Sequence, residues 1–176
     1  EEFAIELAFI HDAWEKIGWK LGDTSIVLRG SYIGSKKELS YYNPSSKQLH
    51  ISSYYLKQQT YEDFKNLYFS QQIRDIQAFP SAAINLANLV IENNDIGKIK
   101  IRFIFLGSEN FNIWQEKKIY KAFPDVTILI WYGQTEKCSF AVKKPSDDFY
   151  RVNEKYGYSE IIKNTKSLIF NKSEIV

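Results

Sequence analysis

The sequence predicts an α/β protein in which a mostly parallel sheet is flanked by helices. Between residues 75 and 131, strand and helix patterns alternate in the order β-α-β-α-β. This alternation implies right-handed crossovers between parallel strands, with helices on both faces of the sheet. The apolar strand patterns of this core suit strands that are buried on both sides. Short strand patterns before and after the core predict additional antiparallel strands at both ends of the chain.

Each element before the core is predicted from its own pattern. Apolar residues that recur at spacings of three and four indicate the first helix, and Gly18 stands where that helix would end. The second helix is predicted to have Thr60 as its N-cap and Asp63 in its first turn. Apolar runs bounded by turn residues indicate the strands between these helices. The predicted elements are a helix over residues 3–17, a strand over 25–28, two strands within 40–52 and a helix over 61–73.

The core is followed by polar turns and three short apolar runs. The predicted elements are core strands over 75–79, 100–106 and 126–130, core helices over 81–93 and 112–123, and later strands over 139–142, 158–162 and 167–170. No stretch rich in Pro, Gly or Ser marks a linker, so we predict a single domain over residues 1–176 without an internal boundary. The chain contains no methionine, even at position 1, which predicts that this domain is part of a longer translated product.

Composition excludes several classes of protein. With 176 residues, of which 44% are hydrophobic, the chain can build one sizeable core. Its 23 basic and 21 acidic residues are spread along the sequence and form no basic stripe for nucleic acid. No apolar run approaches the roughly 20 residues that a membrane span needs. The single cysteine, Cys138, favours a reducing cytoplasm, is predicted to be buried, and has no partners at the spacing of a zinc site.

Polar residues follow each of the three core strands. Pro80-Ser81 follow the first strand, Gly107-Ser108-Glu109 follow the second, and WYGQTE, residues 131–136, follows the third. Because ligands bind beyond the carboxyl ends of parallel strands, we expect these segments to line a site. The glycines would allow a ligand to approach closely, and the helix starts at Ser81 and near Asn112 would offer free N–H groups to an anion.

The WYGQTE segment combines groups that suit a nucleotide. An aromatic ring, a hydroxyl and a carboxylate within five residues match a purine, a phosphate and its Mg²⁺. Two simpler interpretations stay open at this point. WYGQTE could be a strand-to-turn connection with an exposed glutamate, and residues 107–110 could be a helix start capped by Ser108 or Asn110.

Four segments together resemble the adenylate-forming enzymes, which are the AMP-producing ligases and acyl-CoA synthetases. Tyr132-Gly133-Gln134-Thr135-Glu136 is similar to their aromatic-Gly-x-Thr-Glu motif. In order and separation, the segments resemble the phenylacetate-CoA ligase branch, especially its relatives in capsule and surface-polysaccharide loci. The resemblance covers about residues 7–162. The segments are QAFPSAAINLANLV (77–90), FLGSENF (105–111), WYGQTEKCSFA (131–141) and YGYSEII (156–162).

The resemblance implies that the chain is a central part of the large amino-terminal domain of a ligase that activates a small-molecule carboxylate with ATP. Tyr132, with Gly133 beside it, would lie against the adenine of ATP or AMP. Thr135 would contact the AMP phosphate and Glu136 would bind Mg²⁺, so these two residues would be the catalytic ones. Two further sets are implied, namely Gly107, Ser108 and Glu109 beside the adenine and acyl pockets, and Arg29, Gly30, Ser31, Pro80 and Ser81 on the acyl side.

The chain also departs from the pattern of these ligases. Their glycine-rich phosphate loop, ribose-binding Asp and carboxyl-terminal catalytic Lys have no counterpart in the sequence, and RGSYIGSKK, residues 29–37, has the wrong spacing for a phosphate loop. We therefore expect the 176-residue chain by itself not to catalyse adenylation. The alternative is a non-catalytic nucleotide-binding or interaction module derived from the same family. Neither interpretation predicts nucleic acid or a membrane as a partner.

Overall fold

A computed structural model describes residues 2–30, 39–157, 159–163 and 173–175. The four α-helices in this part of the chain are α1 (Glu2–Glu15), α2 (Tyr61–Ser70), α3 (Pro80–Glu92) and α4 (Ile113–Ala122). The strands of the main sheet are β1 (Ser25–Arg29), β2 (Ser40–Asn43), β3 (Gln48–Ser52), β4 (Asp75–Ala78), β5 (Phe103–Leu106), β6 (Thr127–Gly133), β7 (Phe140–Lys143) and β8 (Arg151–Val152). Two further strands, β9 (Ile161–Lys163) and β10 (Ser173–Ile175), pair antiparallel with each other.

The main sheet has eight strands in the order β2-β3-β1-β4-β5-β6-β7-β8. The five central strands, β3 to β6 in this order, are parallel to one another. β2 lies antiparallel at one edge, and β7 and β8 lie antiparallel at the other. The structure therefore confirms the predicted α/β fold, including the parallel core and the antiparallel strands before and after it.

Side chains that alternate along the strands divide between two buried clusters. Ile104 of β5 joins a large cluster that also contains the apolar faces of α2, α3 and α4. Its neighbours Phe103 and Phe105 join a second cluster with Trp14 of α1. Since successive residues of a strand point to opposite faces, α1 covers one face of the sheet and the other three helices cover the opposite face. The predicted covering of both faces is thus confirmed.

Contacts distant in sequence explain where element boundaries differ from the prediction. β5 begins at Phe103 rather than at Lys100, because the Tyr68 hydroxyl is hydrogen-bonded to both the amide and the carbonyl of Lys100 (2.9 Å each). β6 continues to Gly133 because β7 pairs with it as far as the Gly133–Phe140 register. Tyr158 and the strand predicted over 167–170 lie outside the described residues.

The structure confirms the position of the predicted N-cap of α2 but not its hydrogen bond. Thr60 occupies the N-cap position, but its hydroxyl makes no capping hydrogen bond to α2. Instead, the hydroxyl accepts a hydrogen bond from the Lys57 amide (3.0 Å) and donates to the carbonyl of Tyr55. A short 3-10 turn over Gln58–Thr60 precedes α2, and Thr60 stabilises this turn. Asp63 does lie in the first turn of α2, as predicted.

An ion-pair cluster fastens α2 to the loop that follows α3. Asp95 is buried, with 5% of its side chain exposed, and it contacts Lys98 (2.8 Å) and Lys65 of α2 (3.3 Å). The hydrogen bond from Lys98, followed by that from Lys65, lowers the pKa of Asp95 below its ordinary value. The cluster therefore favours the charged form of a buried carboxylate.

No helix among the described residues is long and apolar enough to cross a membrane.

Candidate functional site

The predicted site residues that the structure describes lie at one edge of the sheet. Because β1, β4, β5 and β6 are parallel, their carboxyl ends meet at the same edge. Arg29 ends β1, Tyr132 and Gly133 are the last residues of β6, and the other predicted residues follow directly after their strands. These others are Gly30 after β1, Pro80 and Ser81 after β4, Gly107, Ser108 and Glu109 after β5, and Thr135 and Glu136 after β6. Ser31 lies outside the described residues.

Glu109 joins the connections that follow β4 and β5. Its carboxylate accepts a hydrogen bond from the backbone N–H of Ser81 (2.9 Å) and a second from the Ser81 hydroxyl (2.8 Å). Ser81 lies in the first turn of α3, where a negative charge interacts favourably with the helix dipole. The prediction that Ser81 offers a free N–H group is therefore corrected, because Glu109 already occupies this donor.

The start of α4 is also capped from within the chain. Asn112 is the N-cap, and its backbone N–H donates to the side-chain oxygen of Gln115 (2.8 Å) in a capping box. Neither Ser108 nor Asn110 is the cap, because Ser108 has a left-handed backbone (φ 67°) and the helix begins only at Ile113. The start of α4 therefore has less free donor capacity for an anion than its sequence suggests.

Trp131 explains the two glycines at this edge. A Cβ atom on Gly107 would lie 2.5 Å from the Trp131 indole, and one on Gly133 would lie 2.9 Å from it. Real Cβ atoms do not approach other atoms so closely, so the ring requires glycine at both positions. The prediction explained these glycines by the approach of a ligand, whereas the observed reason for their size is the packing of Trp131.

A short chain of hydrogen bonds shapes the end of β6. The Gln134 side chain donates to the Tyr132 hydroxyl (2.9 Å) and accepts from the Cys138 thiol (2.8 Å). Tyr132 is 39% exposed, and its ring meets Tyr150 edge-on at 6.3 Å. Burial raises the pKa of Tyr150 above its ordinary value. Cys138 is exposed, so the prediction that it is buried was wrong.

Thr135 and Glu136 project from a tight turn. The Lys137 amide donates to the carbonyl of Gln134 (3.0 Å), and Lys137 takes a left-handed backbone (φ 55°). This geometry leaves Thr135 and Glu136 at the centre of the turn, where both are exposed. Within the described part of the chain, neither side chain takes part in a hydrogen bond or an ion pair. Their hydroxyl and carboxylate are thus available to a ligand.

Glu136 is the protein ligand that the sequence predicts for a Mg²⁺ ion at this edge. No group of three or more His, Cys, Asp or Glu residues that could hold a metal occurs among the described residues. Mg²⁺ is often bound by one or two carboxylates together with substrate phosphates, so a lone exposed carboxylate is compatible with this ion when a nucleotide supplies the other oxygens. Glu136 meets this requirement, because its carboxylate is exposed and unpaired within the described residues.

Sequence reasoning did not assign three residues that shape this edge. Trp131 packs across both glycines, as described above. Tyr54 lies against Gly30, with its hydroxyl 3.0 Å from the position of a Cβ atom there. Glu6 of α1 brings a second carboxylate to the end of β6, where it lies 3.9 Å from the Lys137 ammonium. The strand register offers a signal for Trp131 only, because pairing Leu106 with Ile130 sets Gly107 beside Trp131.

No family model matches the chain, and no curated protein matches it in sequence. Similar solved structures include VinN, at 19% identity over 70% of this chain and 30% of VinN, with a TM-score of 0.46. IdnL7 is 14% identical over 81% of this chain and 29% of its own length, with a TM-score of 0.49. CmiS6 is 16% identical over 78% of this chain and 34% of its own length, with a TM-score of 0.47. The chain spans about a third of the length of these proteins, and these similarities assign no function to it.

Proposed function

We propose that this chain is part of an enzyme that activates a carboxylate with ATP, forming an acyl-adenylate and pyrophosphate. The observation that carries the proposal is the position of the motif residues. Tyr132, Thr135 and Glu136 lie at the same sheet edge as Ser81 and Glu109, although these residues come from three separate connections. The carboxyl edge of a parallel sheet is the usual place for a ligand in α/β proteins.

In the proposed reaction, an oxygen of the substrate carboxylate attacks the α-phosphorus of ATP. The bond between the α-phosphorus and the bridging oxygen breaks, and pyrophosphate leaves with the electron pair of that bond. The exposed ring of Tyr132 would lie against the adenine, and the Thr135 hydroxyl would donate to an α-phosphate oxygen. Glu136 would hold Mg²⁺, which supplies positive charge to the phosphate oxygens when it is bound.

The acyl group would lie next to the connections after β1 and β4. Arg29 ends the first of these strands and Gly30 follows it, and Pro80 and Ser81 begin α3 after the second. Trp131 is partly buried across Gly107 and Gly133, so its ring borders this edge of the sheet. The proposal includes a cytoplasmic location, in agreement with the single cysteine and with the need for ATP.

The second candidate function is a nucleotide-binding or interaction module without catalysis. The Glu109–Ser81 contact favours it, because a carboxylate of the chain itself takes two donors that an anionic ligand could have used. The two functions differ in what happens after the nucleotide binds. A module would bind ATP without any dependence on a carboxylate.

Carboxylate-dependent exchange of pyrophosphate into ATP distinguishes the two functions. The assay uses the intact protein that carries this chain, Mg²⁺, and a panel of aliphatic and aromatic carboxylates. We expect exchange above background with at least one carboxylate. ATP binding by calorimetry without exchange from any carboxylate would favour a nucleotide-binding module. The absence of both would reject the ligase and the nucleotide-binding module together.

A further inference from the structure

A cleft separates the end of α1 from the β7–β8 hairpin. Its volume is about 710 Å³, which falls within the range of small-molecule pockets, roughly 300 to 1,000 Å³. Apolar side chains of α1, of the turn that follows it and of the sheet form much of its surface. They are Ala13, Ile17, Leu129, Phe140, Val142 and Val152. None of the residues that line the cleft belongs to the candidate site at the carboxyl edge of the sheet.

The rim of the cleft is positively charged. Five cationic and three acidic side chains line it, which leaves a net charge of +2. The cationic residues are Lys16, Lys143, Lys144, Arg151 and Lys155, and the acidic residues are Asp12, Asp147 and Glu154. An excess of positive charge around an apolar surface favours a ligand that carries both an anionic group and an apolar part.

Two of the cationic side chains on this rim are already neutralised by ion pairs within the chain. Asp12 pairs with Lys16 (2.6 Å), and Asp147 pairs with Arg151 (3.4 Å). The Lys143 ammonium lies 5.1 Å from the centre of the Tyr150 ring. Among the described residues, Lys144 and Lys155 have no ion-pair partner.

We propose that this cleft binds a small amphiphilic anion, with its apolar body on the α1–β6–β7 surface and its acidic head group near Lys144 and Lys155. The cleft has room for one small molecule. Two of its ammonium groups, those of Lys144 and Lys155, have neither a carboxylate nor an aromatic partner among the residues that the structure describes. One head group therefore fits better than a polyanion, which would need a longer series of free cations. This inference does not depend on the proposed ligase function.

Calorimetry on the intact protein with 1-octanesulfonate and 1-octanol tests this site. The two probes share an alkyl chain and differ in charge, and a sulfonate does not form an acyl-adenylate. We expect octanesulfonate to bind more tightly than octanol. Replacing Lys144 and Lys155 together by Glu should weaken octanesulfonate about tenfold and leave octanol within twofold, because the head group then meets like charges.

The matched control replaces Lys117 and Lys121, two exposed residues of α4 that do not line the cleft, by Glu. It changes the net charge by the same amount and should alter octanesulfonate affinity less than twofold. Equal weakening in both double variants would overturn the proposal, because the effect would then come from overall charge. Failure of octanesulfonate to bind, or equal affinity for octanol, would overturn it as well. Glu136→Gln should not change octanesulfonate affinity, and a change of either sign in that variant would place the probe in the ATP site instead.

Discussion

The carboxylate of Glu109 accepts two hydrogen bonds from Ser81, one from the backbone N–H (2.9 Å) and one from the hydroxyl (2.8 Å). The residues are 28 positions apart and come from the connections after β5 and β4. Their contact places a negative charge at the start of α3 and holds two segments of the candidate site together. Disrupting it should therefore affect both the stability of the fold and the geometry of the site.

Glu109→Ala should lower the free energy of unfolding by about 1 kcal/mol, because it removes charge-assisted hydrogen bonds at an exposed helix start. Ser81→Ala should cost less, since the backbone N–H can still donate. In a double-mutant cycle measured by urea denaturation, we expect the two losses to be less than additive by several tenths of a kcal/mol. Glu154→Ala, at an exposed glutamate without an ion pair among the described residues, is the control and should change stability little. Fully additive losses would show that the two side chains do not interact.

Glu136→Gln should reduce carboxylate-dependent pyrophosphate exchange by at least ~100-fold in the intact protein. The amide keeps the shape of the side chain but removes the charge that would hold Mg²⁺. Because Glu136 is exposed and unpaired within the described residues, the melting temperature should not change measurably.

Glu15→Gln is the matched control for this prediction. Glu15 is an exposed glutamate near the end of α1, and its substitution should leave exchange at the level of the unmodified protein. If Glu136→Gln retained full exchange, Glu136 would have no part in catalysis, whatever the activity of the enzyme as a whole.

Gly107→Ala should destabilise the protein by about 1 to 3 kcal/mol, because the new methyl group would lie 2.5 Å from the Trp131 indole. The double variant Gly107→Ala/Trp131→Ala should lose less stability than the sum of the single variants, since removing the ring removes the clash. Gly30→Ala should cost less than Gly107→Ala, because its methyl group would meet only the tip of Tyr54, at 3.0 Å. Urea denaturation measures all four variants. Equal costs at the two glycines would contradict this account of Trp131.

Asp95→Asn should destabilise the protein by about 1 to 2 kcal/mol at neutral pH, because Lys98 and Lys65 both lose a charged partner. The pKa of Asp95 is lowered in the folded state, so the unfolded chain binds the proton more tightly. The stabilisation is therefore fully present above the unfolded pKa of about 3.9 and is lost as the pH falls through the lower folded pKa.

Unfolding of the unmodified protein and of the Asp95→Asn variant should be compared between pH 7 and pH 3. The difference in stability should be constant above about pH 5 and should shrink below about pH 4. Asp148→Asn, at an exposed residue without an ion pair among the described residues, should show no such dependence. A difference that grew towards acid pH would mean that the lysines do not stabilise the charged carboxylate.

Local sequence patterns determined the type and order of the core elements. The periodicity of apolar residues over 75–131 predicted three strands and two helices, and all five are present with a parallel sheet. These patterns are reliable here because each strand is buried on both faces and each helix presents one apolar side to the sheet. The order of the strands also brought the described site residues to a single edge, as the sequence predicted.

Contacts between distant residues decided the features that the sequence did not predict. β7 lengthened β6 by pairing with it as far as Gly133, and the Tyr68 hydroxyl took the backbone groups of Lys100 that would otherwise have extended β5. A side chain 28 positions away took the donors of Ser81. Composition and periodicity carry no information about such partners, because a hydrogen bond depends on where two segments meet in space.

The glycines at the carboxyl edge separate most clearly what the sequence determined from what the tertiary structure decided. The sequence alone determined that Gly107 follows one strand and that Gly133 lies near the end of the next. Only the tertiary structure decided why both must be small. The parallel register of β5 and β6 sets the Trp131 indole against Gly107, and the same ring lies against Gly133, two residues further along β6. A residue type can suit a ligand or a neighbouring ring equally well, and the packing of the folded chain determines which neighbour it meets.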